Sequence, residues 1–319
     1  MTTTRPRTAL GAVIASLALL AGCAGAPAAA PETRQEAAAP AALPAATVCD
    51  DSFESTMSYA PDGGPTPNVD AIRARGALLV GVSADTLLMG SRNPLSGQIE
   101  GFDIDMLQAV SAAIFGDARP LQFRVITSAQ RLEVLENHEV DLVARTFTMN
   151  CERWETIAFS AEYLTAGQKV LVTRDSDAQS IEDLEALGEQ RVCAPEGTTT
   201  LERLQETYPG VEAVPAPTHT GCLVLFQQGK VDAITGDDTI LAGFVAQDPY
   251  AKVVGDAFSA EPYGIGVAAD QVDLARFVNG VLDAAKADGT WAASYDRWLE
   301  ALGPAPVPPV SVYGRVPSP

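Results

Sequence analysis

The stretch VDLVARTFTMNCERWETIAFSAEYL, residues 140–164, decides how the rest of the chain is interpreted. It opens as an apolar run typical of a buried strand and then passes through the hydroxyl residues Thr146 and Thr148. Arg153 follows in a predicted turn, before an apolar alternation resumes. A guanidinium beside strand-end hydroxyls and backbone N–H groups offers the planar donors that a free carboxylate needs. The pattern predicts a site for the α-carboxylate of an amino acid, although a surface arginine in an acidic protein would also explain Arg153.

The first 22 residues have the features of a targeting segment rather than of a folded domain. Arg5 and Arg7 form a short positive region, and the apolar run of residues 10–20 is too short to span a bilayer. Leu-Ala-Gly then precedes Cys23, which resembles a bacterial lipoprotein signal with residues 1–22 as the signal peptide. That resemblance implies a lipidated Cys23 and an extracytoplasmic protein whose only membrane contact is its anchor. An ordinary secretory signal with an incidental cysteine is the alternative.

Acidic residues dominate the chain after the targeting segment. The two arginines of that segment are its only charged residues, so 19 basic and 41 acidic residues remain, a net charge of −22. Such a surface repels nucleic acid and anionic headgroups, so neither is an expected partner. Residues 23–48 are mostly Ala and Pro and are predicted to form a tether, and residues 304–319 hold six prolines and are predicted to be a disordered tail. Between them lie enough residues for one large or two moderate domains.

Four cysteines remain once Cys23 is assigned to lipid, and an even number outside the cytoplasm favours two disulfides. Three pairings are possible. Cys193 ends a strand-like run and Cys222 begins an amphipathic helix in the same half of the chain, so we pair them. Cys49 and Cys151 then pair by elimination. Buried free thiols are the alternative.

Strands alternate with helices along the chain, which is the pattern of α/β proteins. Hydroxyl-rich loops follow predicted strands twice, with Thr146 and Thr148 in one half and Thr198, Thr199 and Thr200 in the other. In open α/β sheets ligands bind at the edge where such loops lie, and the start of the helix after the second loop suits a carboxylate. The two loops therefore predict a binding site shared by the two halves.

Signatures of catalysis are missing from the sequence. It has no GxSxG, no HExxH and no GxxxxGK[ST] motif. Its two histidines, His138 and His219, are too few for a histidine-based zinc site. We therefore expect a binding protein rather than an enzyme, with no metal and no cofactor.

Several segments together resemble one family over about residues 71–308. They are GFDIDML (101–107), TFTMNCER (146–153), VCAPEGTTT (192–200), VDAITGDDTILAG (231–243), and PYGIGV, DGTW and YDRWL toward the C-terminus. The chain resembles the polar-amino-acid substrate-binding proteins of ABC importers, and most closely the actinobacterial glutamate/glutamine-binding lipoproteins of the GlnH type. The resemblance implies the periplasmic-binding-protein type II fold, in which two α/β lobes joined by hinge strands enclose the ligand. It assigns residues 50–164 and 261–303 to lobe 1 and residues 165–260 to lobe 2.

The resemblance also implies roles for residues of the site. The α-carboxylate site of the family corresponds to Thr146, Thr148 and Arg153 in this sequence. The second lobe would complete that binding site with Thr198, Thr199 and Thr200. Asp237 falls on the carboxylate that receives the α-ammonium group of the ligand. Arg145 stands where many relatives have a small residue, so it either enters the cleft or points outward.

Ligand choice depends on TSAQR, residues 127–131, which resembles the acidic-amino-acid binders. The resemblance implies that Arg131 holds the side-chain carboxylate with help from Ser128, and that His219 approaches the ligand. An exposed Arg131 that pairs with Glu133 or Glu136 is the alternative. We expect glutamate or aspartate as the ligand, with glutamine and asparagine as further possibilities.

Three functions fit this site. The first is a monomeric receptor that delivers a free amino acid to an ABC permease. The second is a subunit that reports amino-acid level to a membrane sensor, and it predicts the same pocket. The third is an enzyme on the same fold, such as a cyclohexadienyl dehydratase, which the intact Arg153 and Asp237 pair disfavours.

Overall fold

The computed structural model describes residues 49, 53–64, 66–116 and 121–317. The predicted signal peptide, the predicted tether and the lipidation site at Cys23 lie outside the described residues. The strands of the described part are β1 (Met57–Ser58), β2 (Leu79–Val82), β3 (Asp85–Thr86), β4 (Gly90–Arg92), β5 (Ile99–Glu100), β6 (Gln122–Val125), β7 (Leu142–Ala144), β8 (Ile157–Phe159), β9 (Leu164–Thr173), β10 (Arg191–Pro195), β11 (Glu212–Ala216), β12 (Ala233–Asp237), β13 (Ala251–Val254), β14 (Ala260–Tyr263), β15 (Gly266–Ala268) and β16 (Val312–Tyr313). Its α-helices are α1 (Pro67–Arg75), α2 (Phe102–Phe115), α3 (Arg131–Glu136), α4 (Cys151–Trp154), α5 (Asp183–Leu187), α6 (Thr199–Thr207), α7 (His219–Gln227), α8 (Asp238–Gln247), α9 (Val272–Asp288) and α10 (Thr290–Trp298).

Five strands build the first sheet, in the order β6-β2-β7-β15-β8. β2 pairs in parallel with β6 and β7, and β15 runs antiparallel to β7 and β8. Side chains alternate between the two faces because successive residues of a strand point in opposite directions. Leu142 and Ala144 of β7 join the core cluster that includes α2 and α9, whereas Val143 joins the cluster on the other face with α3. The sheet is therefore buried on both sides.

The second sheet has the order β11-β10-β12-β9-β13. β10 runs parallel to β11 and β12, while β9 runs antiparallel to β12 and β13. This sheet is also covered on both faces, because Leu171 of β9 packs in a cluster with α7 and α8 whereas Val170 and Val172 pack with α5 and α6. Each sheet thus has its own core.

Two strands carry the chain between the sheets. The beginning of β9 pairs with β14, and the rest of β9 pairs with β12 and β13 of the second sheet. The chain enters the second lobe along β9 and leaves it along β14, so the residues between these strands build that lobe. An α/β architecture of two lobes joined by two strands was predicted from the sequence, and the structure confirms it.

Both predicted disulfides occur in the structure. Cys49 pairs with Cys151, the first residue of α4, and Cys193 of β10 pairs with Cys222 of α7. The first bond fixes α4 to the start of the described chain. The second ties the strand that leads into the Thr198 loop to the helix that begins at His219.

The prediction of a disordered tail is wrong for residues 304–317. β16 pairs in parallel with β1, which adds a two-stranded sheet to the first lobe. Arg315 lies 3.7 Å over the ring of Trp154 and donates hydrogen bonds to the carbonyls of Met57 (2.8 Å) and Glu54 (2.6 Å). The prolines misled the prediction because they flank β16 and leave its ladder intact, and because its partner strand lies about 250 residues earlier.

Candidate functional site

A cavity between the two lobes gathers most of the residues that the sequence analysis selected. Its volume is about 10 Å³, roughly the space of one water molecule, so the lobes are closed over the site and have to separate before a solute can enter. Seven of the selected residues line it together with Ile240, and they are Arg131, Thr146, Thr148, Thr198, Thr199, His219 and Asp237. A larger groove on the outer surface, bounded by Lys169 and Trp291, contains none of them.

Thr146 and Thr148 lie in the loop that follows β7, at the carboxyl end of the strand. Both are buried, and Thr148 forms a single antiparallel bridge with Tyr263. Thr146 has a φ of 41°, in the left-handed region that β-branched residues rarely adopt. The first lobe thus brings two hydroxyl residues to the cavity on a strained turn.

Arg153 lies behind Thr148 rather than on the cavity wall. It belongs to α4, whose N-cap Asn150 accepts the backbone N–H of Arg153 at 2.9 Å. The guanidinium is 6 % exposed and donates to the carbonyl of Thr148 at 2.5 Å and to that of Gly197 at 3.4 Å. Two of its five N–H groups are therefore committed to the backbone.

Arg131 is the first residue of α3 and is only 3 % exposed, so the exposed pairing with Glu133 or Glu136 is not formed. Its guanidinium donates to four backbone carbonyls, those of Ser128 (2.9 Å), Arg145 (3.2 Å), Thr146 (3.0 Å) and Gly197 (2.7 Å). The bond to Gly197 crosses from the first lobe to the second. One of its five N–H groups remains without an acceptor among the described residues.

Ser128 and Arg145 form a layer behind Arg131. The side chain of Arg145 is buried and donates to the Ile126 carbonyl (2.8 Å) and to Ser128 Oγ (2.5 Å). It also lies 3.6 Å from a carboxylate oxygen of Asp85. Of the two positions open to Arg145 from the sequence, the structure places it inward, adjacent to the cavity but not lining it.

The second lobe contributes the loop that begins α6. Thr198 caps the helix, since its Oγ accepts the N–H of Leu201 at 3.2 Å, and it donates to the carbonyl of Pro195 at 2.6 Å. Thr199 donates to Glu261 at 2.7 Å. Thr200 lies behind the cavity wall and shares a 2.9 Å hydrogen bond with Thr198.

Gly197 lets this loop approach the first lobe. Its φ is 69°, and a Cβ at this position would lie 2.6 Å from Ala129 Cα. A larger residue would hold the lobes apart. With glycine there, the N-terminus of α6 reaches the cavity and presents the positive end of its helix dipole.

Asp237 ends β12 and lines the cavity from the second lobe. It is 4 % exposed, and its Oδ2 accepts a short hydrogen bond from the hydroxyl of Tyr263. Its Oδ1 is buried and has no hydrogen-bond partner among the described residues. Burial, reinforced by the charge of Glu261, raises the pKa of Asp237 well above its usual range. A cationic donor at Oδ1 would satisfy this oxygen and restore the ionised form.

His219 lines the same cavity from the first position of α7. It is 4 % exposed, and its Nδ1 also lacks a partner within the described part of the chain. Burial and the charge of Arg145 lower the pKa of His219 to about 3, so the ring is neutral at pH 7. A neutral imidazole offers one donor and one acceptor to a ligand.

Three buried polar residues around the cavity, Asp103, Glu261 and Tyr263, were not selected from the sequence, and neither was the half-buried Asp85. Asp85 accepts the N–H of Thr220 at 3.1 Å across the cleft. Asp103 and Tyr263 had a sequence signal, because they belong to the GFDIDML and PYGIGV segments. Asp85 and Glu261 are brought to the site by tertiary contacts that no local pattern encodes.

Within residues 49, 53–64, 66–116 and 121–317, no group of three or more metal-ligating side chains has a geometry suited to a metal ion. In the same part of the chain, no helix combines the length and apolarity needed to cross a bilayer.

Two interlocked α/β lobes around a small polar cavity define a solute-binding protein. The model of the bacterial extracellular solute-binding proteins, family 3, matches residues 78–301, and the chain belongs to this family.

Named relatives agree with this assignment. The ABC transporter glutamine-binding protein GlnH of Bacillus subtilis is 34% identical over 230 residues, covering 72% of this chain and 84% of the relative. The glutamate-binding protein GluB of Corynebacterium efficiens is 34% identical over 240 residues, covering 72% and 79%. The crystal structure of the ancestral amino acid-binding protein AncCDT-1, a precursor of cyclohexadienyl dehydratase, has a TM-score of 0.66 at 29% identity and covers 72% of this chain and 99% of its own.

Proposed function

We propose that the chain captures an acidic amino acid, glutamate or aspartate, between its lobes and hands it to the permease of an ABC importer. The observation that carries this proposal is Asp237 Oδ1, a buried carboxylate oxygen without a partner among the described residues. It lies on the wall of a cavity that is also lined by four threonines, Arg131, the neutral His219 and Ile240. An α-ammonium group supplies the donors and the charge that this oxygen needs.

The α-carboxylate binds on the opposite side of the ammonium group, between Thr148 and the start of α6. Backbone N–H groups at a helix N-terminus suit an anion, and Thr199 is the first residue of that helix. Arg153 lies directly behind Thr148 and uses only two of its five N–H groups on carbonyls. It therefore adds positive charge and further donors on the carboxylate side.

The side-chain carboxylate binds toward Arg131, Thr146 and His219. Arg131 keeps one N–H free, and the neutral ring of His219 adds one donor. Arg145 lies behind Arg131 as a second buried cation at this end of the cavity. A second carboxylate on the ligand matches these charges better than an amide, since an unpaired buried charge costs several kcal/mol.

The names of the relatives support transport of this class of ligand. The Bacillus relative is named as a glutamine-binding protein of an ABC transporter, and the Corynebacterium relative as a glutamate-binding protein. Both names describe binding rather than chemistry, so we extend binding without turnover to this chain. Turnover of prephenate or arogenate by the purified protein would overturn that extension, which is the relevant check because a dehydratase precursor shares the fold.

Anchoring by lipid at Cys23 completes the proposal. The apolar run before Cys23 and the Ala/Pro-rich residues after it fit a lipidated N-terminus and a tether. Intact-mass analysis of the membrane-bound protein should show an acylated N-terminal cysteine. A mature protein that lacks acyl chains, or a Cys23→Ala variant that stays on the membrane, would contradict the anchor.

Replacement of Asp237 by asparagine tests the proposed pocket. Asp237→Asn keeps the size of the side chain but removes the charge opposite the ammonium group, so we expect binding of glutamate to weaken by about 100-fold or more. Asp288→Asn is the matched control. Asp288 is exposed at the end of α9 and accepts the N–H of Thr290 at 2.9 Å, away from the cavity, so affinity should stay within about twofold. Calorimetry that shows equal affinity for Asp237→Asn and wild type would refute the proposal.

A further inference from the structure

Thr146 is held in a backbone conformation that it would not adopt by itself. Its φ of 41° lies in the left-handed region, where a β-branched side chain meets steric strain. Such strain persists only where the surrounding structure enforces it, and it is concentrated at functional sites. Thr146 lines the cavity, so whatever enforces this conformation also shapes the cavity.

A carboxylate from another element enforces it. Asp103 Oδ2 accepts the backbone N–H of Thr146 at 2.9 Å, and Oδ1 accepts the hydroxyl of Tyr163 at 2.6 Å. The carbonyl of Thr146 in turn accepts Nη1 of Arg131 at 3.0 Å. Asp103 thus binds the backbone N–H of Thr146, while the backbone carbonyl of the same residue binds Arg131.

The position of Asp103 is itself fixed. It lies in the first turn of α2, and its backbone N–H donates to the carbonyl of Met89 at 3.0 Å. The preceding Gly101 has a φ of 142°, and a Cβ there would lie 2.3 Å from the Met89 carbonyl oxygen. Only glycine at position 101 permits this start of the helix. The Gly-Phe-Asp sequence therefore fixes the position of the Asp103 carboxylate.

Asp103 does not line the cavity, although burial of its carboxylate is energetically unfavourable. It is 1 % exposed, and burial raises its pKa to about 6, although the hydrogen bonds from Tyr163 and Thr146 favour the charged form. Nothing in the binding of an amino acid requires a carboxylate at this depth. Its two hydrogen bonds account for its presence.

We propose that Asp103 is a positioning residue of the binding site, which holds Thr146 in the left-handed conformation and thereby sets the carbonyl that orients Arg131. The inference rests on the proposed function, because it assigns Asp103 to the same amino-acid site. The inference goes further than that function because it links the start of α2 to the geometry of the site through the backbone N–H of Thr146.

A double-mutant cycle on Asp103 and Thr146 tests the inference by calorimetry with L-glutamate. We expect Asp103→Ala to weaken binding about tenfold, because Thr146 relaxes out of its strained conformation. Glycine adopts a positive φ without strain, so in a Thr146→Gly background the same change should weaken binding by less than about threefold. A residue that merely supported the fold would cost the same in both backgrounds.

Asp105→Asn is the control on the same helix. Asp105 accepts hydrogen bonds from Ser294 and Trp298, both at 2.8 Å, so its loss affects the packing of α2 without touching Thr146. Affinity should stay within about threefold of wild type, even where the melting temperature falls.

Two results overturn the inference while leaving the proposed function intact. One is a folded Asp103→Ala variant that binds glutamate within threefold of wild type, and the other is an equal loss in the two backgrounds. Where Asp103→Ala does not fold, Asp103→Leu takes its place in the cycle under the same criteria, because it also removes both acceptor oxygens while filling more of the buried space. A wild-type protein that binds no amino acid removes the proposed function and this inference together.

Discussion

The two arginines closest to the cavity differ in how many of their donors are already used. Arg131 gives four of its five N–H groups to backbone carbonyls, whereas Arg153 gives two. Both were selected from the sequence as ligand-binding residues. The structure adds that Arg131 also bridges the lobes through the carbonyl of Gly197, so loss of Arg131 affects closure as well as charge.

We predict that Arg153→Ala abolishes binding of every candidate amino acid. All of them share the α-carboxylate, and removal of Arg153 leaves this group without its charged partner in a closed site. Calorimetry with glutamate, aspartate, glutamine and asparagine measures the effect, and circular dichroism shows whether the variant is folded. Retained binding in a folded variant would take Arg153 out of the site.

Arg131→Gln should lower affinity for all four ligands but should change the preference among them. The lost contact to Gly197 weakens closure for every ligand, while the lost charge weakens only the binding of glutamate and aspartate. The ratio of glutamine to glutamate affinity should therefore rise by about tenfold or more. Arg297→Gln, at an exposed arginine of α10, is the control and should leave this ratio unchanged. An unchanged ratio in Arg131→Gln would show that Arg131 supports the lobes without distinguishing the ligands.

Residues of the binding site could be predicted from the sequence where a local sequence pattern indicates them. The hydroxyl loops and Asp237 are signalled by strand ends and by segments that resemble the family, and the structure brings them to one cavity. Asp85 and Glu261 could not be found this way. Their partners, Thr220 and Thr199, are distant in sequence, and only the folded arrangement of the two lobes brings them together.

At the scale of elements, long amphipathic helices were predictable and short strands were not. α9 spans residues 272–288, because its apolar positions recur on one face and Gly289 ends it. β3, β4 and β5 have two or three residues each, which is too short for an alternation to be recognised. β16 was missed for the same reason, since a two-residue strand among prolines carries no periodic signal.

The pair formed by β1 and β16 predicts a stabilising role for Arg315. Arg315→Ala removes a stacking contact with Trp154 and two hydrogen bonds to carbonyls, so we expect a loss of about 1–3 kcal/mol in the free energy of unfolding. Arg297→Ala is the matched control, because Arg297 also stacks on a tryptophan, Trp298, but at an exposed position, and its removal should cost less than about 1 kcal/mol.

Urea denaturation of both variants measures the difference. Glutamate affinity of Arg315→Ala should match that of wild type, because the strand pair lies outside the cavity. Equal stability of the two variants would mean that the C-terminal segment does not contribute to the fold as described.

At the scale of the whole molecule, the proposed function predicts that ligand binding and closure of the lobes are coupled. Direct contacts already join the lobes, including Arg131 to the Gly197 carbonyl at 2.7 Å and the N–H of Thr220 to Asp85 at 3.1 Å. We expect a ligand bound to Thr148 on one lobe and to Asp237 on the other to add to these contacts and to favour the closed form. β9 and β14 connect the two lobes, so we expect opening and closing to take place about these strands.

The central claim is that the interlobe cavity selects an amino acid with a second carboxylate, and titration calorimetry on the mature protein tests it most directly. L-Glutamate, L-aspartate, L-glutamine, L-asparagine, L-lysine and L-histidine are compared at one pH and one salt concentration. Because two buried guanidinium groups, those of Arg131 and Arg145, lie at the side-chain end of the cavity, we predict that glutamate or aspartate binds at least about tenfold more tightly than its amide and that lysine and histidine do not bind. Lysine that binds as tightly as glutamate, or an amide that binds more tightly than both acids, would contradict the claim.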